Sequence, residues 1–276
     1  MENQILKYEE LPDLRKELKE IIGEIGVTTE SQNRLPIFEP TLRAKEGIRV
    51  FENKHGKLIV KGRLGQAHKN LIETILWKKE VCKPIRDEEG RKYLKVVYDQ
   101  EKIRKYLSRG SKYNYETYKT LLDDMIRTVI TIKTEKLEVT GTLIMRLEKS
   151  KVIKPVKNRS PIIPEEVTLT SIIFGDVATA LFENELRFTY DPRLIMTLRN
   201  GISQAIVRYI RTHKNYPAPG YHLRTLVETL AGQIENRKWW EIRRCLKEDS
   251  ELLQRLGITI DFKDDRVIVV ESHRRK

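Results

Sequence analysis

The stretch from Asn236 to Gly257, NRKWWEIRRCLKEDSELLQRLG, sets two adjacent tryptophans among five cations within a dozen residues. On a helix begun at Arg237, Trp239, Ile242, Cys245 and Leu246 share one stripe and face a core. Trp240 is left near the edge beside Arg243, Arg244 and Lys247. Asn236 is the expected N-cap, which leaves first-turn N–H groups available to an anion. Arginine carries a planar fork that matches guanine edges, and lysine is a point charge for phosphate. A charged, solvated helix face is the plain alternative, and the neighbouring elements decide between the two.

Before this helix lies a short one in YHLRTLVETLAG. Before that, Asp191 and Pro192 open a helix running through PRLIMTLRNGISQAIVRYIRTH, preceded by a strand in ELRFTYD. After it comes a hairpin, GITIDFKDDRVIVVES, with Ile258, Ile260, Phe262, Val267 and Val269 alternating. Helix, short helix, longer helix and hairpin is the order of a winged helix, whose third helix enters the major groove. That placement favours DNA contact by Arg237, Lys238, Trp240, Arg243, Arg244 and Lys247. Lys263 and Arg266, in the hairpin turn, are candidate phosphate contacts.

The first half repeats the order. The hairpin IRVFENKHGKLIVKG turns at Asn53 to Gly56. A helix in LGQAHKNLIETILWKK follows, with Leu64, Ala67, Leu71, Ile75 and Trp77 mainly on one stripe. Then come a strand, RKYLKVVYD, a short helix with Ile103 and Leu107, and a longer helix with Tyr118, Leu121, Leu122, Met125 and Val129 inward. A hairpin, TVITIKTEKLEVTGTLIMRLE, closes the series. LGQAH and ISQAI occupy matching places in the two first helices. The candidate DNA contacts of this half are Lys112, Tyr113, Asn114, Tyr115 and Lys119 on the longer helix, and Lys133 and Lys136 on the hairpin. Structural use of the tyrosines competes with that role, and Asp123 and Asp124 oppose contact with a polyanion.

Between the halves, KSKVIKPVKNRSPIIPEEV combines three prolines with a lysine cluster and reads as a linker. The expected organisation is α+β, with two tandem winged-helix domains related by a pseudo-two-fold. An N-terminal amphipathic segment spans 1–33, the first domain 34–150, the linker 151–166 and the second, DNA-binding domain 167–276. In the N-terminal segment Leu14, Leu18, Ile21 and Ile25 share a face. It is expected to pack on its own domain, with helicase docking or dimer formation as the alternatives.

The 276 residues carry 53 Lys and Arg against 40 Asp and Glu, a formal charge of +13 that favours a polyanionic partner. Residues 1–159 hold 35 cations and 24 anions (35 − 24 = +11), and the rest hold 18 and 16 (18 − 16 = +2). The charge of the quoted helix is therefore local. No apolar run reaches the roughly 18 residues of a membrane span, and the start MENQILKYEE lacks a signal-peptide pattern. A cytoplasmic protein associated with nucleoid or plasmid is expected. Cys82 and Cys245 have neither disulfide nor zinc spacing and read as core residues.

Enzymatic motifs are missing. His55, His68, His213, His222 and His273 are scattered, no GxxxxGK[ST] is present, and the acidic pairs Asp123/Asp124 and Asp264/Asp265 form no metal-holding triplet. No catalytic residue, metal ligand or cofactor is expected.

From ALFENELRFTYDPRLIMTLRN through YHLRTLVETLAGQ, the charged helix and ELLQRLGITIDF, the sequence resembles the C-terminal part of iteron-binding plasmid replication initiators of the broad-host-range type. LPIFEP and KGRLGQAHKNLIETIL resemble their first winged helix, so the likeness spans about residues 34 to 270. The resemblance implies binding of direct repeats in double-stranded DNA at an origin, opening of adjacent A·T-rich duplex, and recruitment of a host initiator and replicative helicase. It also implies a homodimer through the first domain. By position it assigns the reading helices to Arg237–Lys247 and Asn114–Arg127. A winged-helix transcriptional regulator on a palindromic operator is the alternative.

Overall fold

The structure is a computed structural model that describes residues 28–29, 33–53, 56–108, 113–133, 138–155, 164–183, 187–213 and 215–270. A two-residue strand β1 (Thr28–Thr29) precedes the hairpin β2 (Gly47–Asn53) and β3 (Gly56–Gly62). Helix α1 (Gln66–Trp77), the hairpin β4 (Val81–Arg86) and β5 (Lys92–Asp99), and helices α2 (Gln100–Leu107) and α3 (Tyr115–Arg127) follow. Next come β6 (Val129–Lys133), β7 (Glu138–Thr142), β8 (Ile144–Pro155), β9 (Pro164–Phe174), α4 (Asp176–Glu183) and β10 (Arg187–Phe188). The second half runs α5 (Arg193–Met196), α6 (Gly201–Arg211), β11 (Tyr221–His222), α7 (Leu223–Ala231) and α8 (Asn236–Glu248). It ends with α9 (Ser250–Arg255), β12 (Ile258–Asp261) and β13 (Arg266–Val269). This is a mixed α/β fold with antiparallel sheets.

Local sequence explains most boundaries. The Asp99 carboxylate accepts the Lys102 N–H to cap α2, and the Asn114 carboxamide oxygen accepts the N–H groups of Glu116 and Thr117 to cap α3. Gly232, at φ +80°, ends α7 in a conformation that costs a side chain energy. Two apolar cores result. One gathers residues from Ile37 to Leu181, the other from Ile195 to Val267, and Tyr190 packs against both.

The expected order of elements occurs in both halves, but the first half uses a different hairpin. In the second half the strand before the short helix pairs with the last strand of the closing hairpin, in the order β11-β13-β12. Its counterpart in the first half is β5-β9-β8, so the matching hairpin is β8–β9. The hairpin expected in that place, β6–β7, joins β2 and β3 in a separate four-stranded sheet. The stretch expected as a linker is a correction too. Its residues up to Pro155 and from Pro164 are paired strands, with 156–163 outside the described residues. Proline misleads there because it is tolerated on an edge strand and at a strand's first residue, the places Pro155 and Pro164 occupy. Val152, Leu169 and Ile172 are buried, so this hairpin belongs to the packed fold and the change of core falls near Tyr190.

Two helices differ from their expected extents. The helix opened by Asp191 and Pro192 breaks between α5 and α6, and the charged helix ends at Glu248. Buried Asp249 accounts for both breaks. Its carboxylate accepts the N–H groups of Arg199 and Asn200 at 2.9 Å each, which ties the turn before α6 to the residue that ends α8.

The halves meet through α1 and α6, and both helices are buried nearly all round. Gln66 and Gln204, equivalent in LGQAH and ISQAI, both face Arg208. Arg208 donates to Gln66 Oε1 at 2.7 Å, to Asn70 Oδ1 at 2.6 Å and, in a two-point pair at 3.0 and 2.7 Å, to Glu73. Tyr190 also donates to Glu73, at 2.7 Å. Burial disfavours the Glu73 carboxylate, but the charges of Arg208 and Lys69 outweigh it and hold its pKa below the usual range. Burial lowers Lys69 to about 7, with Glu73 pulling the other way. The N-terminal segment crosses this junction. Thr28 Oγ1 accepts from Lys69 Nζ at 2.6 Å, and Arg34 donates to Thr212 Oγ1 and O at 3.1 Å, reaching one half and then the other. The amphipathic pattern at Leu14 to Ile25 lies outside the described residues.

Candidate nucleic-acid interface

Helix α8 sits on the second core through Trp239 and Leu246, with Ile242 and Cys245 partly buried. That is the expected inward stripe, and Trp240 is left 69% exposed. Arg237, Lys238, Arg244 and Lys247 project outward. Glu235, not Asn236, holds the cap position and gives no side-chain cap, while Asn236 is the first helical residue and accepts from Arg224 at 3.3 Å. The first turn therefore carries two exposed cations and no acid of its own, with exposed Glu235 directly before it.

Arg243 differs from its neighbours. Its guanidinium donates to Asp265 Oδ1 and the Phe262 carbonyl at 2.5 Å each, and its carbon lies 5.5 to 5.9 Å from the rings of Trp239, Trp240 and Phe262. It ties the helix to the β12–β13 turn, where Asp265 has φ +54°. Lys247 lies over Phe262 at 5.4 Å, and Lys263 is exposed at the same turn. Arg266 is partly buried in β13.

Helix α3 presents a less basic face. Lys119 and Arg127 are exposed, together with Glu116, Thr117 and Thr120. Asn114 has its carboxamide oxygen committed to the cap, and Tyr113, partly buried, gives its carbonyl to Arg104 Nε at 2.9 Å. The Tyr115 hydroxyl accepts from Lys149 Nζ at 2.9 Å, and its ring has Arg104 and Lys149 at 5.5 and 5.3 Å. Asp124 is neutralised by Arg63, which donates at 2.9 and 3.0 Å, and is hydrogen-bonded by His68 at 3.0 Å. Burial lowers the His68 pKa. Its Nδ1 accepts the Gly65 N–H at 3.0 Å, which leaves Nε2 to carry the proton toward Asp124.

Lys133 lies on β6, outside the hairpin that matches β12–β13, and is paired with Glu138 at 2.8 Å. Lys112 and Lys136 lie outside the described residues. Sequence reading passed over Lys149 and Lys151, exposed on β8, which flanks the start of α3. Lys149 and Lys151 stand two apart, on the strand face opposite buried Val152, and that period was the available signal, masked by the nearby prolines. Among the described residues no group of metal-ligating side chains converges, and no helix is long and apolar enough to cross a membrane.

No protein-family model and no curated protein matches the sequence. Among solved structures, domains 2 and 3 of RctB superpose with a TM-score of 0.52 at 13% identity, over 88% of this chain and 96% of that one. A second structure of the same domains gives a TM-score of 0.44 at 12% identity over 83% and 86%, and the fold comparison rests on the first. The chain shares the fold of RctB domains 2 and 3.

Proposed function

We propose that this protein is a replication initiator that binds duplex DNA sequence-specifically through two winged-helix units, reading direct repeats at a plasmid-type origin. The observation that carries the proposal is helix α8. Four cations and an exposed tryptophan stand on the outer face of the third helix of a helix-strand-helix-helix-hairpin series, the position that such units insert into the major groove. The fold shared with domains 2 and 3 of RctB, a replication initiator, supports the same reading. In it, Arg244 and Lys247 contact DNA directly, while Arg243 positions the helix against its hairpin. In the first unit Lys119 and Arg127 on α3 and Lys149 and Lys151 on β8 hold phosphates. The protein acts by binding, opening adjacent duplex and recruiting a host initiator and helicase, without catalysis of its own.

The test is a mobility shift at moderate salt with duplexes taken from the DNA flanking the gene, comparing any tandem direct repeats with any palindrome found there. Arg244→Glu with Lys247→Glu leaves the circular dichroism spectrum unchanged, because both side chains are exposed, and lowers affinity for the repeats at least 100-fold. A good bidentate base contact is worth about 1–3 kcal/mol, and charge reversal adds phosphate repulsion. Unchanged affinity removes α8 from the reading role. Preference for a palindrome over tandem repeats makes the protein a transcriptional regulator instead.

A further inference from the structure

A groove of about 890 Å³ opens where the two halves meet. One wall is the flank of α3 at Thr117, Thr120 and Asp124, and the opposite wall is the α5–α6 turn at Met196, Leu198 and Arg199. That turn is joined to the C-terminal end of α8, because Asn200 Nδ2 donates to the Cys245 carbonyl at 3.0 Å and Asp249 accepts the Arg199 N–H. The groove therefore runs from the side of one reading helix to the end of the other.

Three arginines line it. Arg63 is committed to Asp124, whereas the guanidinium groups of Arg43 and Arg199 are exposed and have no acidic partner among the described residues. Glu116 is the remaining acid of the lining, since Asp124 is neutralised by Arg63.

The loop that bears Arg43 is clamped by both halves. Gln66 N donates to the Thr41 carbonyl at 2.8 Å. A Cβ on Gly65 would lie 2.6 Å from that oxygen, and one on Gly201 would lie 2.5 Å from Thr41 Cα. Glycine at the starts of α1 and α6 is thus what lets the loop enter between them. The Arg43 backbone is fixed before any ligand arrives, which lowers the ordering entropy of binding.

We infer that this groove is a third DNA contact, in which Arg43 and Arg199 hold the phosphate backbone of the duplex where it passes between the two reading helices. The inference rests on the proposed function, with both helices on one face of one duplex. Successive major grooves on one face are a helical turn apart, and the strands bounding the minor groove between them face the protein. Two uncommitted guanidinium groups on a pinned scaffold suit those phosphates, a contact that positions the duplex and carries no base information.

The experiment measures binding of the full chain to a labelled 40-base-pair duplex of mixed sequence between 50 and 200 mM salt. Each neutralised phosphate contributes about −0.9 to the slope of log K against log salt. Arg43→Ala with Arg199→Ala is expected to make the slope shallower by about 1.8. Arg43→Lys with Arg199→Lys restores it, because charge sets this quantity. Thermal melts confirm that the variants are folded. If the alanine pair leaves the slope unchanged while Arg244→Ala with Lys247→Ala reduces it, the groove lies off the DNA path and the proposed function stands. If the unsubstituted protein shows no salt-dependent binding to duplex DNA, the proposed function and the groove contact fall together.

Discussion

The half of the chain with the larger charge has the less basic third helix. Residues 1–159 carry +11, yet the face of α3 mixes Lys119 and Arg127 with Glu116, and Arg63 and His68 are occupied with Asp124. The second half carries +2, yet α8 exposes Arg237, Lys238, Arg244 and Lys247, four cations against Glu241 and Glu248, the latter 3.9 Å from Arg244. Net charge by segment thus misjudges which surface offers cations to a polyanion, because the excess cations of the first half are spread over several elements, with Lys61 on β3, Arg86 on β4, Lys92 on β5, Lys105 on α2 and Lys149 on β8 all exposed on elements other than α3. What matters is how many exposed cations gather on one face.

The largest effect is expected where the halves meet. Arg208→Met leaves Glu73 buried without its main counter-charge, and breaking such a pair costs about 3–5 kcal/mol. Chemical denaturation with tryptophan fluorescence checks this through Trp77 in one half and Trp239 in the other. Wild-type stability in the variant would mean that the halves are held together by something else.

Within α8 the two tryptophans should separate. Trp239→Ala is expected to cost about 3 kcal/mol, and Trp240→Ala less than about 0.5 kcal/mol. Equal losses in thermal melts would place the helix on the wrong face. The adjacent arginines give a smaller contrast of the same kind. Arg243→Met, which releases Asp265 and the Phe262 carbonyl, should cost about 1–2 kcal/mol, whereas Arg244→Ala leaves stability unchanged and weakens DNA binding. An Arg243→Met variant as stable as wild type would show that the helix and its hairpin do not need this tie.

The last effect is a slope. Burial lowers the folded-state pKa of Lys69 to about 7 from the ordinary 10.5. Between those values the unfolded chain binds more protons than the folded one, so stability rises with pH from about 7 upward. Lys69→Met should flatten that rise, and melting temperatures between about pH 6.5 and 9 measure it. Identical profiles for the two proteins would assign the pH dependence to other groups.

Helices α1, α2, α3, α7 and α8 were legible in the sequence, since their apolar residues recur at helical spacing, while the boundaries at Asp99, Asn114 and Gly232 emerged only in the structure. The strand RKYLKVVYD and the β12–β13 hairpin were legible by alternation. The division of α8 into an inward Trp239 and an outward Trp240 also follows from period alone, because a helix with one apolar stripe has a single way to face a core. Strand partners did not follow. Hairpin β6–β7 pairs locally just as β8–β9 does, and only the approach of β5 to β9 and of β3 to β6 selects which of them completes the three-helix group. Alternation records that a strand has two faces, not which distant strand lies beside it. The same holds for the polar groups at the junction. Glu73, Lys69 and Arg208 sit in helices whose periodicity treats them as ordinary charges, and their burial comes from α1 and α6 packing on one another across more than 130 residues of chain. Local spacing determined the elements and the inward face of α8. Tertiary packing decided which cations were left free, because a charge is neutralised by whatever the fold brings within a few ångströms of it, and that neighbour is seldom close in sequence.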